Sequence, residues 1–550
     1  MPPAPANLSV PDDGAPSAWA PLRRALFRDR WIASLVSNFG AWMQDTAGTW
    51  LMATLTTSPL LIALMQTAAS LPVLLLGLPA GAMADVFDRR RLLIFWQSWM
   101  LAAALLLSIL TFAGLIGPGL LLALTFLLAL GAALNNPAWQ AIVPELVPRS
   151  ELPDAIALNS AGFNLARAAG PALGGLTVAA FASARRGAGV VFLINALSFG
   201  AVILVLYFWR RQPWHTSALP AERFIGSMRA GVRYARHSPP VRSVLARTVA
   251  LTSCLSAMWA LLAVVAQQDL HQGAVGYGFL NGCIGAGAVA GATTLPLLRR
   301  RHGADFLING AALVFTGTLL VLAWVRSVPL VLVALFAGGM AWTTIASSLN
   351  IVLQTSTAPW VQARALGTYQ MVFQGGMALG SAFWGWVAEH TSTPLALTAS
   401  AIALLAGLPL HRRFPLTRPA SDFTPAGNDF TAASEGYPLV GPEPDDGPVL
   451  VTVEYRIDPG QADAFLRAVH ALRPVRLRDG ALLWGLFRDT EEPAVYLESF
   501  LVESWVEHQR QHERFTVADE ALRAAVLAFH VEDKPPVIRH LVYRGDEPWP

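Results

Sequence analysis

Two ionisable residues stand inside long apolar runs, and both could do chemistry. Asp45 interrupts a stretch that begins at Trp31 and reaches about Leu55, and Arg167 lies in the first half of another, from about Ala155 to Ala184. An ionised carboxylate at that depth in a bilayer costs at least roughly 2.5–3.5 kcal/mol, so it must face a cavity, pair, or hold a proton. The sharper expectation is that Asp45 takes up a proton coupled to solute movement, with Arg167 as the opposite charge that biases it. A structural ion pair between packed helices, or an Asp near a wet helix end, is the plainer alternative.

Uncharged polar residues in the same runs offer a cavity lining. The residues singled out are Asn38, Trp42, Gln44, Asn136, Gln140, Asn164 and Gln374, with Trp50, Trp139, Phe163 and Trp342 nearby in sequence or type. Amides with aromatic rings suit an amphiphilic substrate. Helix-to-helix hydrogen bonding explains many of the same amides. Two histidines, His508 and His512, share a helix face at a spacing of four, but two ligands without a nearby Cys do not make a metal site. No metal or cofactor is expected.

The elements that position these residues follow from hydropathy. The chain has 550 residues, of which 54% are hydrophobic and only 14% charged, with mean hydropathy +0.46; soluble domains carry about 25% charge. Crossing the hydrocarbon takes about 20 apolar residues. Runs of that length predict twelve transmembrane helices, six on either side of a polar connector at 210–242. The expected units are a disordered cytoplasmic N-terminus (1–24), a first half (25–209), the connector, a second half (243–411), a linker (412–447) and a soluble domain (448–550). In the connector, Phe224, Met228, Val232 and Tyr234 alternate with Arg223, Arg229, Arg233 and Arg236, as in a helix lying on an anionic leaflet. Arginines cluster before the first span and after the second, sixth, eighth and twelfth, so both termini are expected in the cytoplasm. Cys254 and Cys283 lie in apolar spans and read as packing thiols.

The second half repeats the first. Gly170-Pro171-Ala-Leu-Gly174-Gly175 has a near-copy at Gly376-Met-Ala-Leu-Gly380, offset by 206 (376 − 170). Gly77, Gly81 and Arg89 recur as Gly287, Gly291 and Arg299, offset by 210 (287 − 77). Small residues at such spacing let membrane helices approach closely. Arg167 has no charged counterpart, because Phe373 occupies the matching position. The tail from Val449 alternates as a strand, then runs strand–helix–strand–strand–helix–strand, which predicts a small α+β, ferredoxin-like domain.

Several strings resemble the major facilitator superfamily. Gly81-Ala-Met-Ala-Asp85-Val-Phe-Asp88-Arg89-Arg90 is similar to its loop 2–3 motif, departing at Val86 and Asp88. The resemblance implies a cytoplasmic gate built from Gly81, Asp85, Arg89 and Arg90. The Gly170–Gly175 string resembles the fifth-span motif of the drug and proton antiporters. With Asn38–Gln44, Asn136–Gln140, Gln370–Gly380 and Ser504–Arg514, the chain resembles a bacterial exporter branch related to the enterobactin exporter, some of whose members carry a monooxygenase-like tail. That resemblance implies proton-coupled export of a siderophore, secondary metabolite or drug across the bacterial inner membrane. A small-molecule importer, or a membrane-tethered enzyme or sensor acting through the tail, is the alternative. No haem or flavin signature marks the tail, so a regulatory or dimerising appendage is expected rather than an enzyme. No nucleotide motif appears, and no nucleic-acid partner is expected.

Overall fold

A computed structural model describes residues 19–142, 147–148, 151–208, 231, 233–416, 442–443, 445–532 and 534–544. The N-terminal stretch, most of the connector and linker, and the side chain of Asp85 lie outside the described residues. Between Ala25 and Gly407 these residues form twelve helices of fifteen residues or more. The first six are α1 (Ala25–Leu55), α2 (Pro59–Val86), α3 (Arg89–Phe112), α4 (Pro118–Ala141), α5 (Leu152–Ala179) and α6 (Ala184–Phe208). The second six are α7 (Pro239–Val264), α8 (Ala274–Arg299), α9 (Ala304–Trp324), α10 (Val328–Thr355), α11 (Gln362–His390) and α12 (Thr393–Gly407).

Local chemistry sets several of these boundaries. Pro59 opens α2 behind Ser58, whose hydroxyl accepts from the Leu61 amide. Asp88 caps α3 by accepting from the Arg91 amide at 2.9 Å, so it serves as a helix cap where the resembled motif has glycine. Nine stretches are long and apolar enough to cross a membrane among the described residues. The helices that fall short are α1, α5 and α11. These three carry Asp45, Arg167 and Glu389 within their length, and α1 and α11 also bury polar residues such as Gln44, Thr46, Thr368 and Ser381.

The packing of the second six helices repeats that of the first. α1 lies against α5 and α6 as α7 lies against α11 and α12, and α3 against α4 and α6 as α9 lies against α10 and α12. Across the two sets, α5 packs on α8 and α2 on α11. The glycine strings lie in these seams. A Cβ on Gly170 would meet Trp42 Cβ at 2.6 Å, and one on Gly174 the Met43 carbonyl at 2.8 Å. Gly376 and Gly380 stand in the same relation to Thr252 and Ser253 of α7. Gly175 and Gly278 face each other across the α5–α8 seam, where a Cβ on either would lie 3.1 Å from the other's Cα.

Beyond the bundle, β1 (Val449–Arg456), α13 (Ala462–Asp479), β2 (Ala481–Arg488), β3 (Val495–Val502), α14 (Trp505–Arg514), α15 (Val517–Leu527) and β4 (Val537–Val542) make a second unit. Its antiparallel sheet has the order β2-β3-β1-β4, with Val449 opposite both Val502 and Val542. Val453, Tyr455 and Tyr496 from the sheet pack with Phe465, Val469 and Leu472 from α13. Glu498 is fully buried there, and its carboxylate accepts from Tyr455, Trp484 and Arg476.

This unit touches the helical body through residues just before α7 and between α10 and α11. Glu507 pairs with Arg233 at 3.1 Å and with Arg514 at 2.6 Å. The Arg514 guanidinium lies 4.6 Å over Trp360, and Arg478 lies 5.8 Å from the ring of Tyr234. Tyr234 is itself buried against Trp360 and accepts from the Ala358 amide. Burial would push the Glu507 carboxyl up, but hydrogen bonding and charge from Arg514, with Arg233, hold it below its ordinary value. A lowered carboxylate contributes fully above the ordinary range of about 4.3 and is lost only as pH falls through the lowered value. The contact is therefore expected to be constant from pH 5 to 8. Glu507→Gln should loosen it by roughly 1.5–3 kcal/mol, the worth of hydrogen bonds to a charged group. Hydrogen exchange in the 357–364 segment should then rise about tenfold or more; unchanged exchange would show that the ion pair does not hold the contact.

Candidate transport site

A cavity of about 340 Å³ lies between the two sets of helices. α1 contributes Trp42, Gln44, Asp45, Thr46, Gly48 and Thr49, and α5 contributes Arg167 and Pro171. From the other side come Trp259, Tyr277, Asn281, Trp342, Phe373 and Gln374. The placement follows from helical spacing. Trp42, Asp45 and Thr49 lie three and four residues apart, on one face of α1. Asp45 is exposed to the cavity although it sits deep in the bundle.

Asp45 and Arg167 share this cavity without forming an ion pair, and neither contacts an opposite charge among the described residues. The Arg167 guanidinium instead lies 5.9 Å from the ring of Trp42, one turn before Asp45. The structural ion pair, the plainer alternative, is not formed: the indole takes the position beside the guanidinium. Pro171 removes the amide that would bond the Arg167 carbonyl four residues earlier. At that carbonyl α8 comes close, since a Cβ on Gly285 would lie 2.6 Å from the oxygen.

Of the other residues read from sequence as cavity lining, Trp42, Gln44 and Gln374 are in the wall. Gln44 accepts from Asn195 at 2.6 Å, which fixes its orientation. Asn38, Asn136, Gln140 and Asn164 are not in the wall. Gln140 donates to Asn136 one turn away, Asn164 donates to the Ser160 carbonyl, and Asn38 lies one turn beyond Trp42. Gln66, Thr49, Tyr277 and Asn281 line the cavity without having been singled out. Trp259 was missed as well, although it falls 210 residues after Thr49 (259 − 49), at the offset of the internal repeat.

At the end of the bundle that carries the arginine clusters, Gly81 is open: a Cβ added there would have no atom within 4 Å. Arg90 donates to the Leu206 and Tyr207 carbonyls at 2.8 and 2.5 Å, capping the last turn of α6. Arg89 opens α3. Arg30 is buried under Trp139, donating to its carbonyl at 2.9 Å with the ring 4.2 Å away. At the opposite end, Glu389 of α11 accepts from the Ser58 hydroxyl and the Leu60 amide, and Gln268 donates to the Thr57 carbonyl. These bonds join the two sets of helices there.

A family model described as a transmembrane secretion effector, within the major facilitator group, matches residues 16–547. The chain belongs to this family. This secretion-effector chain is similar to the multidrug efflux pump Tap of Mycobacterium tuberculosis, 26% identical over 413 residues, 72% of this chain and 96% of Tap. It is also similar to an uncharacterized MFS-type transporter, YfiS, of Bacillus subtilis, 26% identical over 68% of this chain and 89% of YfiS. The enterobactin exporter EntS of Escherichia coli is 28% identical over 282 residues, half of this chain and 64% of EntS. Among solved structures, the nucleoside transporter NupG aligns with a TM-score of 0.58 at 12% identity, covering 72% of this chain and all of NupG. A bacterial homologue of the lysosomal transporter Spinster, in an inward-facing conformation, also gives 0.58 at 12% identity, covering 72% of this chain and 98% of the homologue. The secretion-effector chain is a major facilitator transporter of the bacterial inner membrane, multi-pass, and not an enzyme.

Proposed function

We propose that this transporter exports a small amphiphilic molecule across the inner membrane by alternating access, in exchange for protons. The observation that carries the reading is Asp45, a carboxylate facing a cavity between two sets of packed helices with no cationic partner among the described residues. Such a group can hold a proton when substrate is absent and give it up when substrate arrives. All twelve helices are read as spanning, with α1, α5 and α11 short on hydropathy because they supply the polar wall. The two sets are read as two pseudo-symmetric halves with both termini in the cytoplasm, and Gly81, Asp85, Arg89 and Arg90 as the cytoplasmic gate. Efflux and export in the names of Tap and EntS support the outward direction.

The tail is read as a ferredoxin-like appendage held by Glu507 to Arg233 at the end of the connector, and as a regulatory or dimerising element. At the far end of the bundle, the Glu389 bonds favour the state closed to the outside. Glu389→Ala should shift the population toward the outward-open state; these are exposed bonds, so the shift is expected at about 1 kcal/mol, roughly fivefold. Thiol labelling of a cysteine placed at Thr57 should speed up by that factor, and unchanged labelling would remove Glu389 from the gate.

Comparative metabolite profiling tests the function itself. Cells without the gene should retain at least one small amphiphile that wild-type cells release, and the Asp45→Asn gene should fail to restore release. Loss of uptake from the medium, with no retained compound, would reverse the direction.

A further inference from the structure

The two sides of the cavity differ in chemistry at positions related by the internal repeat. Gly174 packs on Met43 and Gly380 on Ser253, so the offset that relates α5 to α11 is 206 (380 − 174), and that relating α1 to α7 is 210 (253 − 43). By these offsets Arg167 corresponds to Phe373 and Thr49 to Trp259, and all four line the cavity. The first half offers charge and hydroxyl where the second offers rings. Trp259 and Trp342 lie with ring centroids 4.3 Å apart, and Trp342 and Phe373 5.3 Å apart, forming one continuous aromatic wall. Asp45 and Arg167 are the charged residues among the described lining, and neither is paired with another described residue of opposite charge.

We infer that the substrate is zwitterionic, carrying an ammonium group and a carboxylate on a flat aromatic body. The inference rests on the cavity being the transport site. A neutral amphiphile would strip water from both charges and return nothing to either. A cation would answer Asp45 and strand Arg167, and an anion would do the reverse. A ligand with both groups satisfies both, while its ring stacks on Trp259, Trp342 and Phe373. The cavity is at the small end of the usual range for ligand sites, roughly 300–1,000 Å³, which favours a body of one or two fused rings.

A matched series on one skeleton tests this. 3-(2-Naphthyl)alanine is the zwitterion, 2-(2-naphthyl)ethylamine lacks the carboxylate, and 3-(2-naphthyl)propanoate lacks the amine. Calorimetric titration of the full-length protein in nanodiscs at pH 7.5 should show the zwitterion binding at least tenfold tighter than either partner compound. Asp45→Asn should lower zwitterion affinity to that of the propanoate, and Arg167→Gln to that of the amine. Equal binding across the series, no binding of the zwitterion, or a preference that survives both variants would overturn the assignment. Should a variant fail to fold, the wild-type series alone still decides. If the zwitterion binds with this preference but does not cross proteoliposomes, the transport reading fails while the ligand class stands. If it crosses with no preference over the other two, the ligand class fails alone.

Discussion

Asp45→Asn is expected to abolish proton-driven accumulation of substrate while leaving the protein folded. Asparagine keeps the size of the side chain and its place in the wall among Trp42, Gln44 and Thr49. It cannot gain or lose a proton at any working pH. A gradient of two pH units is worth about 2.7 kcal/mol per proton, enough for a roughly 100-fold solute gradient in one-for-one exchange. The variant should collapse that gradient to none, and substrate binding should lose its pH dependence. Because the carboxylate faces the cavity and has no ion-pair partner among the described residues, its replacement strands no paired cation. The melting temperature should stay within a few degrees of wild type. A folded variant that still concentrates substrate would remove Asp45 from the coupling step.

Gly175→Leu is expected to disrupt the fold itself. A Cβ at this position would lie 2.5 Å from the Ala274 carbonyl oxygen and 3.1 Å from the Gly278 Cα. Those are backbone atoms of α8, which cannot turn aside as a flexible side chain could. The two halves would have to separate along the α5–α8 seam. Overpacking costs typically 1–3 kcal/mol and sometimes more, and a seam that must also slide during transport has less room to relax. Loss of most folded protein on size-exclusion chromatography is expected, with Gly175→Ala intermediate. Gly200→Leu is the matched control, because that glycine has nothing within 4 Å. If Gly175→Leu behaved like the control, close backbone packing would not be what the glycine string provides.

Much of the architecture was legible because hydrocarbon imposes one length and one polarity on every span. The apolar runs from Trp31 to about Leu55 and from about Ala155 to Ala184 fall on α1 (Ala25–Leu55) and α5 (Leu152–Ala179). Asp45 stood out because a carboxylate in an apolar run has few physical excuses, and the structure turns it to the cavity. The amides were harder. Gln44 and Asn38 lie on the same helix and look equivalent in sequence, yet one lines the cavity and the other lies beyond it. Helix rotation and cavity extent decide such cases, and neither is written in local spacing. Asp88 was readable in principle, since an aspartate just before a helix is a common cap. Arg247 was not: its pairing with Asp305 and Asn309 joins α7 to α9 through residues 58 and 62 positions apart. The contact of Tyr234 and Trp360 with the tail joins distant segments in the same way, and no periodicity announces it.

The measurement that bears most directly on proton-coupled exchange uses proteoliposomes holding the full-length protein, with 3-(2-naphthyl)alanine on both sides and an imposed pH difference. Exchange against protons drives solute into the acidic compartment whichever way the protein is inserted, so random orientation does not obscure the result. Proteoliposomes with an acidic lumen should concentrate the probe inside, and those holding Asp45→Asn should not. Accumulation in an alkaline lumen instead would mean that proton and solute travel together, which contradicts the exchange.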